Sequence, residues 1–350
     1  MVFDDVLIIK NGKNQKAVEN PNGKYPIYGS GGIMGYADDY ICNANTVIVG
    51  RKGSINNPIF VEEPFWNVDT AFGLEANQEL LLPKYLFYFC KHFDFEQLNK
   101  AVTIPSLTKG DLLRIEINLP VINEQKSIVD RLSRIQKTIE MYRQQLQKYD
   151  DLIKSRFVEM FGDPLLNDRG WPCKRIGDLF EVISRGKQPT YVEHSTVRVI
   201  NQACVYWDRI NMDNAKYHDN QSSKKMLPIS EYSILINSTG TGTLGRCNVF
   251  PELRDDYVYV VDSHVTTLQE SSEINAWFFK WFFQHNGIQA KIYSECVNGS
   301  TNQIELSREK LSNAMMIVPP IELQNQFAEF VIETNKSKLT LCRYNINVNK

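Results

Sequence analysis

Apolar side chains recur alternately four and three residues apart at Ile128, Leu132, Ile135, Ile139, Tyr142, Leu146, Tyr149 and Ile153. Charged and amide residues occupy the positions between them, which makes one narrow heptad seam held for nearly four heptads. No Pro or Gly interrupts the stretch from Asn123 to Phe161, and Gly162 and Pro164 then supply a C-terminal stop. The pattern predicts one unbroken spacer helix, with a span of roughly 58 Å at about 1.5 Å per residue. An ordinary amphipathic core helix is the commoner source of such a stripe, but those seldom exceed about 20 residues. A seam this long and narrow needs a partner helix.

On either side the pattern changes to short strands and turns, and it does so twice. In residues 1–121, the Gly-rich turns of Tyr28–Gly35 precede a β run at Thr46–Gly50. Short strands follow toward Phe60 and Phe72, then a helix Lys84–Lys91 with Pro83 at its first position. A last strand is expected at Leu113–Leu119. Residues 171–320 repeat this order: Val182–Lys187 matches Leu7–Lys13, Ser233–Gly240 matches the Val47–Gly53 strand and turn, and Val261–His264 matches Val68–Ala71. Asn275–Phe283 then matches Lys84–Lys91, and Leu306–Leu311 aligns with Leu107–Leu112 without a gap. The same frame carries Asn118–Gln125 onto Ile317–Gln324, at a constant offset of 199.

A repeat of that length is two copies of one domain, each followed by a helix. The second helix begins near Glu322 with a weaker stripe of Leu323, Phe327, Phe330, Val331 and Leu341. Its natural partner is the first. The expected fold is α+β: two similar domains of mixed strands and helices, separated by a long antiparallel two-helix coiled coil with pseudo-two-fold symmetry. The expected boundaries are 1–121 for the first domain, 122–161 for the spacer helix, 162–320 for the second domain and 321–350 for a C-terminal helix. The seam draws on the eight positions above together with Phe327 and Val331.

Composition adds bounds. An apolar content of 43% with 23% charged residues is that of an ordinary globular protein, and no apolar run approaches membrane-spanning length. The start MVFDDVLIIK lacks the pattern of a signal peptide, and seven scattered cysteines without a C-x-x-C pair suggest reduced thiols in a cytoplasmic protein. No histidine stands at metal-ligand spacing from another His or Cys, so no metal site is expected. The net charge of −2 argues for no particular partner; any nucleic-acid contact must rest on local cations.

Several motifs carry a family likeness. The long helix ends Lys154-Ser-Arg-Phe-Val-Glu-Met-Phe-Gly-Asp-Pro164, and Gly170-Trp-Pro and Ile176-Gly-Asp-Leu-Phe-Glu-Val follow. Each domain exits through a Leu/Val-Pro step into an amphipathic helix containing Glu/Gln. Together these features resemble the specificity (S) subunit of Type I restriction–modification systems over essentially the whole chain. The resemblance implies two target recognition domains, each reading one half of a bipartite asymmetric DNA site. It also implies methyltransferase (modification) and restriction (endonuclease/translocase) subunits as partners. S-adenosylmethionine, ATP and magnesium are then expected only on those subunits. Two departures stand out. The first domain lacks a counterpart of Trp171–Leu179, and the second helix is shorter than the first.

Enzymatic motifs are weak. Asn57-Pro-Ile-Phe60 lacks the second proline of a base-holding loop and reads as a turn. Gly240-Thr-Gly-Thr-Leu-Gly245 fits G-x-G-x-x-G, but Arg246–Phe250 looks like a strand where a phosphate site needs a helix. Asp69 and Asp262, at matching points of the two halves, read as strand-end residues of a common fold. The chain is therefore expected to be non-catalytic, with a protein-binding scaffold of two adaptor domains as the alternative. Base reading needs Arg, Lys, Asn, Gln, Ser and Thr on a rigid frame. The candidates are Lys10, Lys13, Lys16, Arg51, Lys52 and Ser54 in the first domain. In the second they are Arg185, Lys187, Gln188, Ser238, Thr239, Thr241 and Arg246.

Overall fold

The computed structural model describes residues 1–99, 104–223, 225–253, 255–299 and 304–348; the side chains of Ser223, Leu339 and residues 341–348 lie outside that description. The chain divides into two compact units, Met1–Arg143 and Gln144–Lys350.

The first unit opens with a short helix α1 (Phe3–Val6) and strand β1 (Leu7–Asn11). A hairpin of β2 (Tyr25–Gly29) and β3 (Gly32–Ala37) follows, so the Gly-rich stretch expected as turns is largely strand. Then come β4 (Thr46–Gly50), β5 (Ile59–Val61), β6 (Trp66–Asn67), β7 (Ala71–Ala76), α2 (Pro83–His92) and α3 (Lys109–Leu113). The main sheet has the order β1-β7-β4-β5, antiparallel throughout. A second sheet, β3-β2-β6, pairs β2 with β6 in parallel. β4 is apolar at successive positions because both of its faces are covered. Val47 and Val49 join Leu86 and Phe95 on one side, whereas Ile48 meets Phe65 and Cys42 on the other.

The expected strand at Leu113–Leu119 is absent. Its place holds the end of α3 and an isolated bridge between Val2 and Glu116. The helix α4 (Ile122–Phe161) runs unbroken over 40 residues and stops at Gly162.

The second unit takes up α4 at Gln144 and continues with β8 (Cys173–Arg175), α5 (Ile176–Leu179), β9 (Val182–Arg185), β10 (Tyr191–Val192), β11 (Val197–Ile200) and β12 (Lys216–His218). Next are α6 (Asn220–Ser223), β13 (Ile234–Asn237), β14 (Cys247–Val249), β15 (Val258–Val261), β16 (Val265–Gln269) and α7 (Ala276–Phe283). It closes with α8 (Asn286–Cys296), β17 (Val297–Asn298), β18 (Glu305–Leu306), α9 (Arg308–Asn313), β19 (Met315–Ile317) and α10 (Ile321–Val348). The main sheet, β14-β13-β16-β9, repeats the order of the first unit strand for strand. The second sheet, β10-β12-β11-β15, again has one parallel pair, β11 with β15.

Hydrogen bonds extend the match to single residues. Phe3 N–H donates to Ile115 O as Ile176 N–H does to Ala314 O, both at 2.9 Å. The α1 turn is therefore the counterpart of Ile176–Leu179, which corrects the expectation that the first domain lacks one. The bridge of Val2 to Glu116 likewise matches the pairing of Arg175 with Met315, and Ile117 N–H to Met1 O matches Met316 opposite Lys174, so β8 and β19 extend by one pair, Cys173 with Ile317, a contact already begun in the first unit.

Aromatic packing explains the end of α4. Ile153, Phe157 and Phe161 are buried, with Phe157 and Phe161 ringed by Phe278 of α7 and Phe327 of α10. Arg156 lies over Phe330 and Asp150 pairs with Lys338, so within this unit the end of α4 and α10 run antiparallel. Val331 is buried in the same core. The expected seam is uneven: Tyr142, Leu146 and Tyr149 are half-buried, whereas Ile128, Leu132, Ile135 and Ile139 are 36–49% exposed. α10 has 28 residues against the 40 of α4, and the side chain of Leu341 lies outside the described residues.

Candidate nucleic-acid interface

Most of the candidate residues gather at one end of the main sheet in each unit. In the first unit β1 runs out at Asn11, and the chain turns through Gly12 to Lys13, whose N–H donates to Asn67 O at 2.8 Å. A Cβ on Gly12 would lie 1.8 Å from the Val68 carbonyl oxygen, and one on Gly186 2.0 Å from that of Val261. Only glycine fits this crossing, and it places Lys13 and Lys187 at equivalent points. β4 ends beside it: Arg51 N–H donates to Thr70 O and Leu107 N–H to Arg51 O. Ser238 N–H likewise donates to His264 O and Leu306 N–H to Ser238 O. Gly53 and Gly240 follow at matching places with φ of 78° and 94°.

The side chains differ between the two ends. Lys13, Lys16, Arg51, Lys52 and Ser54 are all exposed, and among the described residues none of the four cations is ion-paired; Arg51 rests over the Phe72 ring. Lys10 is half-buried on β1. In the second unit Lys187, Gln188 and Thr241 are exposed, and Thr239 bonds His264 Nδ1 at 2.8 Å. Arg185 is already engaged, donating to Ser263 O and paired with Glu305, and burial lowers its pKa. Ser238 is fully buried with Oγ bonded to Thr266, so it presents nothing to a ligand. Arg246 stacks on Tyr206 and donates to Gly242 O, which braces the 240–245 loop. That loop leads into β14, a strand rather than a helix.

Asp262 corresponds to Val68 and not to Asp69. Val265 N–H donates to Asp262 O as Ala71 N–H does to Val68 O, so the sequence match was one residue out. Asp262 is buried, which raises its carboxyl pKa, and the His264 N–H it accepts partly offsets this. Sequence reading named Asp69 and Asp262 as strand-end residues and missed Asn67, Val68, Thr70, Ser263, His264 and Glu305 as parts of these ends. The repeated Val-Asp step was the available signal for the first group. Nothing local marked Glu305, which reaches the site from β18. No group of acidic, His or Cys side chains among the described residues has the make-up of a metal site.

The first end thus offers cations and a hydroxyl, and the second a cation with hydroxyl, amide and imidazole groups, each on a strand-end frame. This is equipment for reading a polar, anionic surface twice in one chain. The class is a duplicated α+β recognition protein with a long helix joining its copies. The sequence model described as Type I restriction modification DNA specificity domain matches residues 2–148 and 168–345. The chain belongs to that family, whose work is DNA sequence recognition. It is 22% identical over 308 residues to the Type I restriction enzyme MjaIX specificity subunit of Methanocaldococcus jannaschii, covering 81% of this chain and 68% of that one. It is 31% identical over 123 residues to the putative MjaX specificity subunit of the same organism, covering 33% and 29%. The fold is similar to the crystal structure of a Type I S subunit from M. genitalium, with TM-score 0.61, 18% identity and coverage of 100% and 92%. A chain solved in work on complex assembly of a type I restriction–modification system gives TM-score 0.51 at 15% identity, covering 99% and 92%.

Proposed function

We propose that this chain reads a bipartite, asymmetric DNA site and brings methyltransferase and restriction subunits to it, taking no chemical step itself. The observation that carries this reading is the double strand-end site: one strand-end frame, sharing the bonds at Arg51 and Ser238 and at Leu107 and Leu306, bearing two different sets of side chains. Matching frames fit the duplex in the same way, and different side chains read different bases. Lys13, Lys16, Arg51 and Lys52 supply phosphate contacts in one half, and Lys187 does so in the other. Ser54, Gln188, Thr239 and Thr241 are the base-edge donors. S-adenosylmethionine, ATP and magnesium belong to the partner subunits, and the assembly works in the cytoplasm. Among the described residues no helix is long and apolar enough to cross a membrane.

The test is co-expression with the cognate modification subunit and mapping of methylated bases by sequencing. A discontinuous motif, two short words separated by an unread gap, is expected. Methylation of a continuous motif, or of none, would overturn the reading.

A further inference from the structure

The tip of the β2–β3 hairpin carries two adjacent large apolar side chains in water: Ile33 is 56% exposed and Met34 62%. Leaving both uncovered costs free energy that a free surface does not return. The tip is held in place. β2 and β3 pair with a bulge between Ile27 and Tyr28, and Val68 N–H donates to Tyr28 O at 3.0 Å. Met34 Sδ sits over Gly29, where a Cβ would come within 2.7 Å, and Ser30 Cβ lies 3.1 Å from the position of a Cβ on Gly50. Gly50 and Val68 immediately precede Arg51 and Asp69, so the apolar tip stands beside the cationic strand ends. Lys13, Arg51 and Lys52 there have no ion-pair partner among the described residues.

The second unit lacks this device. Asp262 N–H donates to Ile200 O as Val68 N–H does to Tyr28 O, which makes Ile200 the counterpart of Tyr28. Five and six residues further on, where Ile33 and Met34 stand in the first unit, Val205 is buried and Tyr206 is half-buried with Arg209 and Arg246 over its ring, so no exposed aliphatic pair occupies this place. An apolar pair beside unpaired cations fits a polyanion with a stacked apolar interior, which is duplex DNA. We infer that Ile33 and Met34 form a wedge that presses into a base step of the half-site read by the first unit. The half-site read by the second unit is left stacked. An apolar wedge partly unstacks the step it enters and kinks the duplex there. Its target is then set by how easily a step deforms as well as by base edges.

The inference rests on the DNA-reading role, and its test separates the two. The complex of this chain with its modification subunits is titrated onto duplexes of its methylated motif. 2-Aminopurine is placed at successive steps away from the methylated adenines. A fluorescence rise is expected at a step in one half-site and not in the other. The doubly substituted Ile33→Ser/Met34→Ser chain should lose that rise, keep its melting temperature and bind the motif about 10-fold more weakly. Absence of any rise, or a rise that persists in the double variant, would overturn the wedge while DNA reading stands. A wild-type complex with no preference for the motif would remove both.

Discussion

At the scale of single residues, Lys280 is the most perturbed cation outside the strand ends. It is 3% exposed on α7, its amine lies over the Trp277 and Trp281 rings, and burial lowers its pKa from 10.5 to about 8. Cys247 of β14 and Asp150 of α4 favour the charged amine, as does Asp208, whereas Lys338 of α10 opposes it. Between pH 8 and 10.5 the folded chain binds fewer protons here than the unfolded chain, so this group's contribution to stability rises with pH across that window. Below about 8 its cost is present in full. Lys280→Met should therefore stabilise the chain at pH 7 by about 1–3 kcal/mol, and the gain should fade toward pH 10. Urea unfolding at the two pH values checks this. Sequence reading took Asn275–Phe283 as an aromatic helix and had no means to see that its lysine is buried. A helix apolar on every face is buried all round, so its one cation is buried with it.

At the scale of elements, each spacer helix is fastened by the same glutamine. Gln125 Oε1 accepts Leu82 N–H, and its Nε2 donates to Leu80 O and Pro120 O at 2.8 Å. Gln324 Oε1 accepts Asn275 N–H, and its Nε2 donates to Glu273 O and Pro319 O. Both side chains are fully buried. Gln125→Ala and Gln324→Ala should each cost about 1–3 kcal/mol by stranding buried backbone groups, with similar losses in thermal unfolding. The gapless 199-residue offset showed these glutamines as equivalent, but not what they hold, because two of the three bonds of each run to a segment 43 to 51 residues away. The heptad count was right about the length of α4 and misleading about its burial. A seam reports what a helix can cover, and the covering itself depends on a partner elsewhere in the chain. Phe157→Ala should cost about 3–5 kcal/mol, whereas Ile135→Ser should stay within about 0.5 kcal/mol for the purified chain. Equal costs in chemical denaturation would contradict the exposure of Ile135.

At the scale of the whole molecule, the repeat was legible because local order is copied from one half to the other: β run, Gly turn, aromatic helix, Pro step. Sheet order was not, since β1 meets β7 and β9 meets β16 across more than sixty residues that no periodicity spans. For the same reason Ser238 could be named a candidate although the sheet buries it. What the whole chain then does with a net charge of −2 depends on where its cations stand. Lys13 and Lys187 occupy the same backbone crossing in the two units, both exposed and neither ion-paired among the described residues. If each neutralises one phosphate, Lys13→Ala and Lys187→Ala should each lower the slope of log K against log salt by about 0.9 in magnitude. The double variant should lower it by about 1.8. Because phosphates carry no sequence, affinity should fall alike for cognate and unrelated duplexes, and the methylated motif should not change. A slope that moves for one lysine alone would mean that the two strand-end frames meet DNA differently.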